Sequence, residues 1–240
     1  MSQRPLPEAS GSRAPAGPEA CDTFPKLLAR NARLRGRRPA MREKDFGIWQ
    51  TWNWAEAADQ ARALACGLAS LGMVRGDTVA IVGDNRPRLY WTIVAVQALG
   101  GVPVPMYQDA VAEEMQYVLN HAEARFAVVE NQEQVDKLLQ IMPACPKLET
   151  LAYDQPRGMR HYDQAFLHAL DDVMAAGRDW DTAHPGFYED SVARGQGDDT
   201  AIMLYTSGTT GRPKGVVLSQ DNVRRTAENA ANFEGLSESD

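Results

Sequence analysis

An α/β fold, with a layered parallel-sheet core and helices on both faces, is what this sequence predicts, and three observations predict it. Short apolar runs alternate with amphipathic stretches from residue 53 to residue 153. That rhythm marks repeated strand–helix–strand units, whose strands run parallel. The runs at 78–82 (TVAIV) and 125–129 (RFAVV) suit strands covered on both faces rather than strands with one face in water. Composition is the third observation: 44% apolar and 24% charged residues among 240 are ordinary for a folded chain and exclude wholesale disorder.

The elements follow in order. Residues 1–20 contain four Pro, four Ala, three Ser and two Gly, which bury too little apolar surface to order themselves. They lack the apolar stretch of a secretory signal and are expected to form a disordered leader. The basic stretch 26–38 has two readings, a membrane-surface helix or a solvated first helix with Leu27, Leu28 and Leu34 turned inward. Its short apolar face favours the second. Asn53, with Glu56 three residues on, opens a helix in the pattern of a capping box. Its apolar residues recur at three and four, and Gly72 stops it. A strand is expected at 78–82, a helix over 86–99 and an extended segment at 102–107. Pro103 and Pro105 place that segment at a strand end or sheet edge, since proline cannot donate to the ladder. A helix over 110–121, a strand at 125–129, a helix over 132–141 and a strand at 148–153 complete the series. Residues 155–198 break the rhythm and predict a surface excursion with one helix at 164–176.

Charge and rare residues exclude several functions. The net charge is −7, distributed as +6 over residues 1–44 and −13 over the rest, which argues against a general nucleic-acid binder. Cys21, Cys66 and Cys145 are odd in number and widely spaced, which argues against a disulfide framework or a zinc site and fits a reducing cytosol. His121, His161, His168 and His184 have no metal-ligand spacing and are expected to be packing or surface residues. No run reaches the roughly 18 apolar residues of a membrane span.

The segment 201–222 carries the chemistry. An apolar strand at 201–205 (AIMLY) runs into TSGTTGRPKG at 206–215, then into a second strand at 216–218. Ser219 or Asp221 caps the helix that follows from Asn222 to about Phe233. Gly208, Gly211 and Gly215 let the backbone approach anionic oxygens closely and present N–H groups to them. Thr206, Ser207, Thr209 and Thr210 add hydroxyls, Lys214 adds a positive charge, and Pro213 stiffens its approach. The loop is not a Walker A motif, because Pro213 and Val216 stand five residues after its first two glycines. It also lacks the dinucleotide fingerprint. A plain Gly/Ser/Thr-rich surface hairpin is the alternative. Phosphate binding is preferred because three glycines, four hydroxyls and a lysine fall together between two apolar strands.

The run YTSGTTGRPKG at 205–215 resembles the signature of the adenylate-forming superfamily of acyl-CoA synthetases, luciferases and peptide-synthetase adenylation domains. The resemblance extends over roughly residues 22–235. QTWNWAE at 50–56, RGDTVAIVGDNRP at 75–87 and QALGGVPVP at 97–105 are similar to the family's early α/β core. DNRPRLYW at 84–91 is most similar to bacterial long-chain fatty-acid–CoA ligases.

This resemblance implies the front half of a large N-terminal adenylation domain, occupying 21–240 after the leader. It implies activation of a long-chain fatty acid by ATP to acyl-adenylate, then transfer to coenzyme A with magnesium as the metal. Thr206 would help hold magnesium. Ser207, Gly208, Thr209, Thr210 and Gly211 would cradle the β- and γ-phosphates, and Lys214, the implied catalytic residue, would offset their charge. A fatty acyl-AMP ligase and a non-catalytic nucleotide-binding module are the alternatives. Cytoplasmic location is expected, with peripheral contact at the inner face of the membrane and the oligomeric state left open. The family commonly has histidine, bordering the acyl pocket, where this chain has Gln220. Its later motifs, including a lysine on a C-terminal domain, have no counterpart among the residues after the loop. The chain is therefore expected to be part of a longer enzyme and inactive alone.

Overall fold

The structure, a computed structural model, describes residues 21–206 and 212–237. The expected leader at 1–20 lies outside these residues. The chain begins with α1 (Phe24–Arg35), which is capped by the Thr23 side chain. A hairpin of β1 (Pro39–Asp45) and β2 (Ile48–Asn53) follows. Asn53 then caps α2 (Trp54–Ser70), with the predicted capping box intact: Asn53 Oδ1 accepts from the Glu56 N–H at 2.9 Å, and Glu56 accepts from the Asn53 N–H at 2.8 Å.

Strand β3 (Thr78–Val82), α3 (Pro87–Ala98), β4 (Val102–Met106), α4 (Ala112–His121), β5 (Phe126–Val129), α5 (Gln132–Ile141) and β6 (Thr150–Tyr153) carry the predicted alternation, and most bounds fall within two residues of those expected. The sheet is parallel throughout, in the order β4-β3-β5-β6 with β7 (Leu167–Ala169) added at the far edge. Pro103 and Pro105 sit on the edge strand β4, as expected, where their missing N–H groups leave the ladder to β3 intact.

The strands divide two cores between them by simple alternation. Val79, Ile81, Phe126, Val128 and Ala152 point to one face, against α2, α3 and α6 (Leu170–Ala183). Ala80, Val82, Ala127, Val129 and Leu151 point to the other, against α4 and α5. Helix α6 lies close on α2: a methyl group on Gly177 would stand 1.9 Å from the Ala63 carbonyl oxygen, and one on Gly67 would stand 2.2 Å from that of Val173. Glycine at both positions permits this approach.

Two expectations are corrected. Residues 155–198 are not a mere surface excursion, because Leu167–Ala169 pairs with Leu151–Tyr153 as the fifth parallel strand. The helix begins and ends later than expected, at Leu170–Ala183, and its stripe Leu170, Val173, Met174 and Gly177 is buried. A further helix, α7 (Phe187–Ala193), follows it. The second correction is Leu34, which is 60% exposed, whereas Leu28 packs on the core. The half-buried stripe of α1 runs through Leu28, Asn31, Ala32 and Arg35, and Leu34 lies off it.

The chain closes with β8 (Thr200–Thr206), β9 (Lys214–Ser219) and α8 (Gln220–Glu234). Strands β8 and β9 form a separate antiparallel hairpin, packed beside β4 and α4. Gln97 Nε2 on α3 donates to the Ala201 carbonyl at 2.7 Å and ties the hairpin to the main body. Among the described residues, no helix is long and apolar enough to cross a membrane.

Candidate functional site

The candidate site is the open end of the β8–β9 hairpin. The register pairs Thr206 with Lys214 and Tyr205 with Gly215, so Thr206 and Lys214 are the last cross-strand pair before the loop. Residues opposed in this way have Cβ atoms about 5 Å apart. The hairpin thus brings the hydroxyl of Thr206 and the ammonium group of Lys214 to one mouth, both exposed. Ser207, Gly208, Thr209, Thr210 and Gly211 lie outside the described residues. No group of three or more His, Cys, Asp or Glu side chains able to hold a metal occurs among the described residues.

Alternation along β8 separates anchoring from chemistry. Met203 and Tyr205 face the body, where they pack beside Val104, Val118 and Ala122. Thr206 and Lys214 project from the opposite face. Gly215 makes room for the Tyr205 ring: a methyl group there would stand 3.3 Å from Tyr205 Cζ, tighter than ordinary contact.

The C-terminal turns of α4 meet both sides of the hairpin mouth. His121 Nδ1 lies 2.6 Å from the Tyr205 hydroxyl, with the two rings edge to face at 5.6 Å. Burial, with a smaller contribution from Tyr117, raises the Tyr205 phenol above its ordinary range. The phenol therefore stays protonated and shares a hydrogen bond with the imidazole. One turn earlier, Tyr117 donates from its hydroxyl to the Pro213 carbonyl at 3.1 Å. The Arg212 guanidinium lies over the Tyr117 ring at 5.6 Å, a cation–π arrangement. Sequence reasoning assigned no role to Tyr117 or Arg212 and treated His121 as a packing or surface residue. The available signal was the i, i+4 spacing of Tyr117 and His121 on one helix face.

Gln220 also has a definite place. It is buried as the first residue of α8, where its Oε1 accepts from the Phe24 N–H at 3.0 Å. Ser219, the first of the two caps expected, closes the helix start in a capping box with Asn222. Gln220 joins the start of α8 to the start of α1, and this carboxamide oxygen is committed to that bond.

A concavity of about 470 Å³ lies elsewhere, where α2 meets α6, and includes Asp59, Arg62, Arg178 and Asp181. It contains none of the predicted site residues. Arg62 is bonded to Asp181 at 2.6 Å and also to Glu189. Burial pushes the nearby Cys66 thiol up to about 12, so it is not a nucleophile near neutral pH.

Comparison with known proteins places these features. The family model described as AMP-binding enzyme matches residues 28–240. The chain is 35% identical over 215 residues to the long-chain-fatty-acid–CoA ligase ACSBG2 of Rattus norvegicus, covering 88% of this chain and 31% of that protein. It is 35% identical over 179 residues to the long-chain-fatty-acid–CoA ligase FadD15 of Mycobacterium bovis, covering 74% and 28%. Among solved structures, the anthranilate CoA ligase AuaEII in complex with anthranoyl-AMP matches with a TM-score of 0.72 at 21% identity, covering 86% of this chain and 36% of that one. A long-chain-fatty-acid–CoA ligase (FadD1) of Archaeoglobus fulgidus matches with a TM-score of 0.68 at 22% identity, covering 90% and 40%. At these identities the structural matches establish the shared fold. The chain spans about three-tenths of the length of the curated relatives it matches.

Proposed function

Because the chain belongs to the AMP-binding enzyme family, we propose that it forms part of a long-chain fatty-acid–CoA ligase and that its β8–β9 mouth holds the phosphates of ATP. The observation that carries this reading is the cross-strand pair Thr206–Lys214, which sets a hydroxyl and an ammonium group together at the ends of a glycine- and hydroxyl-rich loop. The relatives' names support the substrate class. The proposal concerns the enzyme that contains these residues, and the 240 residues alone are expected to give no turnover.

The proposed reaction has two steps. A fatty-acid carboxylate oxygen attacks the α-phosphorus of ATP. The bond from that phosphorus to the bridging oxygen breaks, and pyrophosphate leaves with the electron pair. The thiolate of coenzyme A then attacks the acyl carbon, and AMP leaves with the electrons of the acyl–oxygen bond.

Both partners of the first step are anionic, so charge neutralisation and alignment carry most of the catalysis. Lys214 supplies a positive charge beside the leaving phosphates, and Thr206 supplies a hydroxyl. The Thr206 hydroxyl is a hard oxygen donor of the kind magnesium takes; it would help hold the ion, which would offset phosphate charge. A cytoplasmic location belongs to the same proposal and is supported by three free cysteines, two of them buried.

The test supplies the enzyme with ATP, magnesium and a panel of carboxylic acids, and measures acyl-adenylate and pyrophosphate before and after coenzyme A is added. Adenylate formed with long-chain acids, followed by thioester, is the expected result. Adenylate that never becomes thioester would overturn the coenzyme A acceptor and point to a carrier protein instead.

A further inference from the structure

We propose that Tyr117 and His121, on the last turns of α4, are positioning residues for nucleotide binding, holding the two sides of the β8–β9 mouth in register. The inference rests on the phosphate reading of that mouth and adds to it a brace supplied by a different part of the fold.

Three contacts carry it, and they reach both strands' ends. His121 Nδ1 holds the Tyr205 hydroxyl at 2.6 Å, on the residue just before Thr206. Tyr117 Oη donates to the Pro213 carbonyl at 3.1 Å, on the residue just before Lys214. Arg212 lies over the Tyr117 ring at 5.6 Å. The two brace residues touch each other as well, with ring centroids 5.6 Å apart. One helix face thus holds the side chain of the residue just before Thr206 and the backbone of the residue just before Lys214, the two residues read as the magnesium ligand and the phosphate-facing cation.

The grip is selective. Tyr205 faces α4, so by strand alternation Thr206 faces away and keeps its hydroxyl available. Pro213 has no N–H, so its carbonyl is the backbone polar group it can anchor with, and Tyr117 takes it. Gly215 leaves the space that the Tyr205 ring occupies. Helix α4 is itself fixed by Met115 and Leu119, both buried against the sheet. The brace therefore refers the mouth to the parallel sheet through one rigid helix. Its physical effect is preorganisation: the ordering that phosphate binding demands is partly met before ATP arrives.

The test uses the enzyme that contains this chain, with Tyr117→Phe, His121→Ala and His121→Gln. Tyr117→Phe keeps the ring and removes one hydrogen bond, so KM for ATP is expected to rise about three- to tenfold while KM for the fatty acid and the thermal midpoint hold. His121→Ala should do the same, and His121→Gln, which retains a hydrogen-bonding group, should recover part of the loss. Amide hydrogen exchange at Arg212, Lys214 and Gly215 is measured in parallel on the same variants and should quicken in Tyr117→Phe. An active wild-type enzyme whose Tyr117→Phe and His121→Ala forms keep KM for ATP within twofold would overturn the brace, as would equal shifts for ATP and fatty acid. A wild-type enzyme that forms no acyl-adenylate would overturn the proposed function instead. The exchange measurement then decides the brace by itself, and unchanged exchange would overturn it.

Discussion

The parallel sheet and the β8–β9 hairpin are built from similar apolar strand sequences and behave as opposites. Every residue of β5, Phe126–Val129, is buried, whereas no residue of β9, Lys214–Ser219, is. The central strand β5 has strands on both sides and helices on both faces, so its side chains have no outlet to solvent. The hairpin rests one face on β4 and α4 and leaves its other face and its mouth open. The difference teaches where the two demands on the chain are met. The sheet supplies burial and rigidity, and the hairpin, stabilised mainly from one side, has exposed groups free to meet a ligand.

That contrast can be broken from either side. The largest expected effect is in the sheet: Leu151→Ala, at a fully buried position, should lower unfolding free energy by about 2–5 kcal/mol. Denaturant titration measures the loss, and KM for ATP in surviving native enzyme should hold. Next is Gly177→Ala, where the added methyl meets the Ala63 carbonyl of α2. Overpacking of this kind should cost about 1–3 kcal/mol, and an unchanged thermal midpoint would show that α6 can shift away freely. Lys214→Ala reverses the pattern: stability should stay within about 0.5 kcal/mol, while KM for ATP rises roughly tenfold and KM for the fatty acid does not follow. Smallest is Val217→Thr on the exposed strand β9, which should alter the unfolding free energy by less than about 0.5 kcal/mol.

Thiol chemistry sharpens the same contrast. Cys66 is buried and its thiol is pushed up to about 12, so the folded-state pKa lies above the ordinary thiol value. The neutral form is the one the fold favours, and any stability from it is lost only as pH rises through the cysteine range and above. Alkylation near neutral pH should therefore spare Cys66 and Cys145 and modify the half-buried Cys21 first. Mass spectrometry of the labelled native chain reads the order.

The parts of the molecule legible in the sequence are those set by local rules. The capping box at Asn53, the stop at Gly72 and the strand at 78–82 each depend on residues within a few positions. The mouth was legible for the same reason, because Thr206 and Lys214 belong to one hairpin. What escaped depends on partners far along the chain. Leu167–Ala169 is too short to show a period of two, and it becomes a strand only because β6 offers it an edge. Leu34 follows the apolar spacing of α1, yet it lies off the half-buried stripe of Leu28, Ala32 and Arg35. Tyr117 and His121 show only as two ring residues on a helix. Their meaning comes from Tyr205 and Pro213, which lie 84 and 96 positions away.

The central claim is that the β8–β9 mouth holds the phosphates of ATP during activation of a fatty acid. Its most direct test is exchange of labelled pyrophosphate into ATP by the enzyme that contains this chain, since exchange reports reversible acyl-adenylate formation without coenzyme A. The account predicts exchange that depends on a long-chain fatty acid, with Lys214→Ala requiring roughly tenfold more ATP at an unchanged fatty-acid requirement. Fatty-acid-dependent exchange that Lys214→Ala leaves untouched, or no exchange with any carboxylic acid, would contradict it.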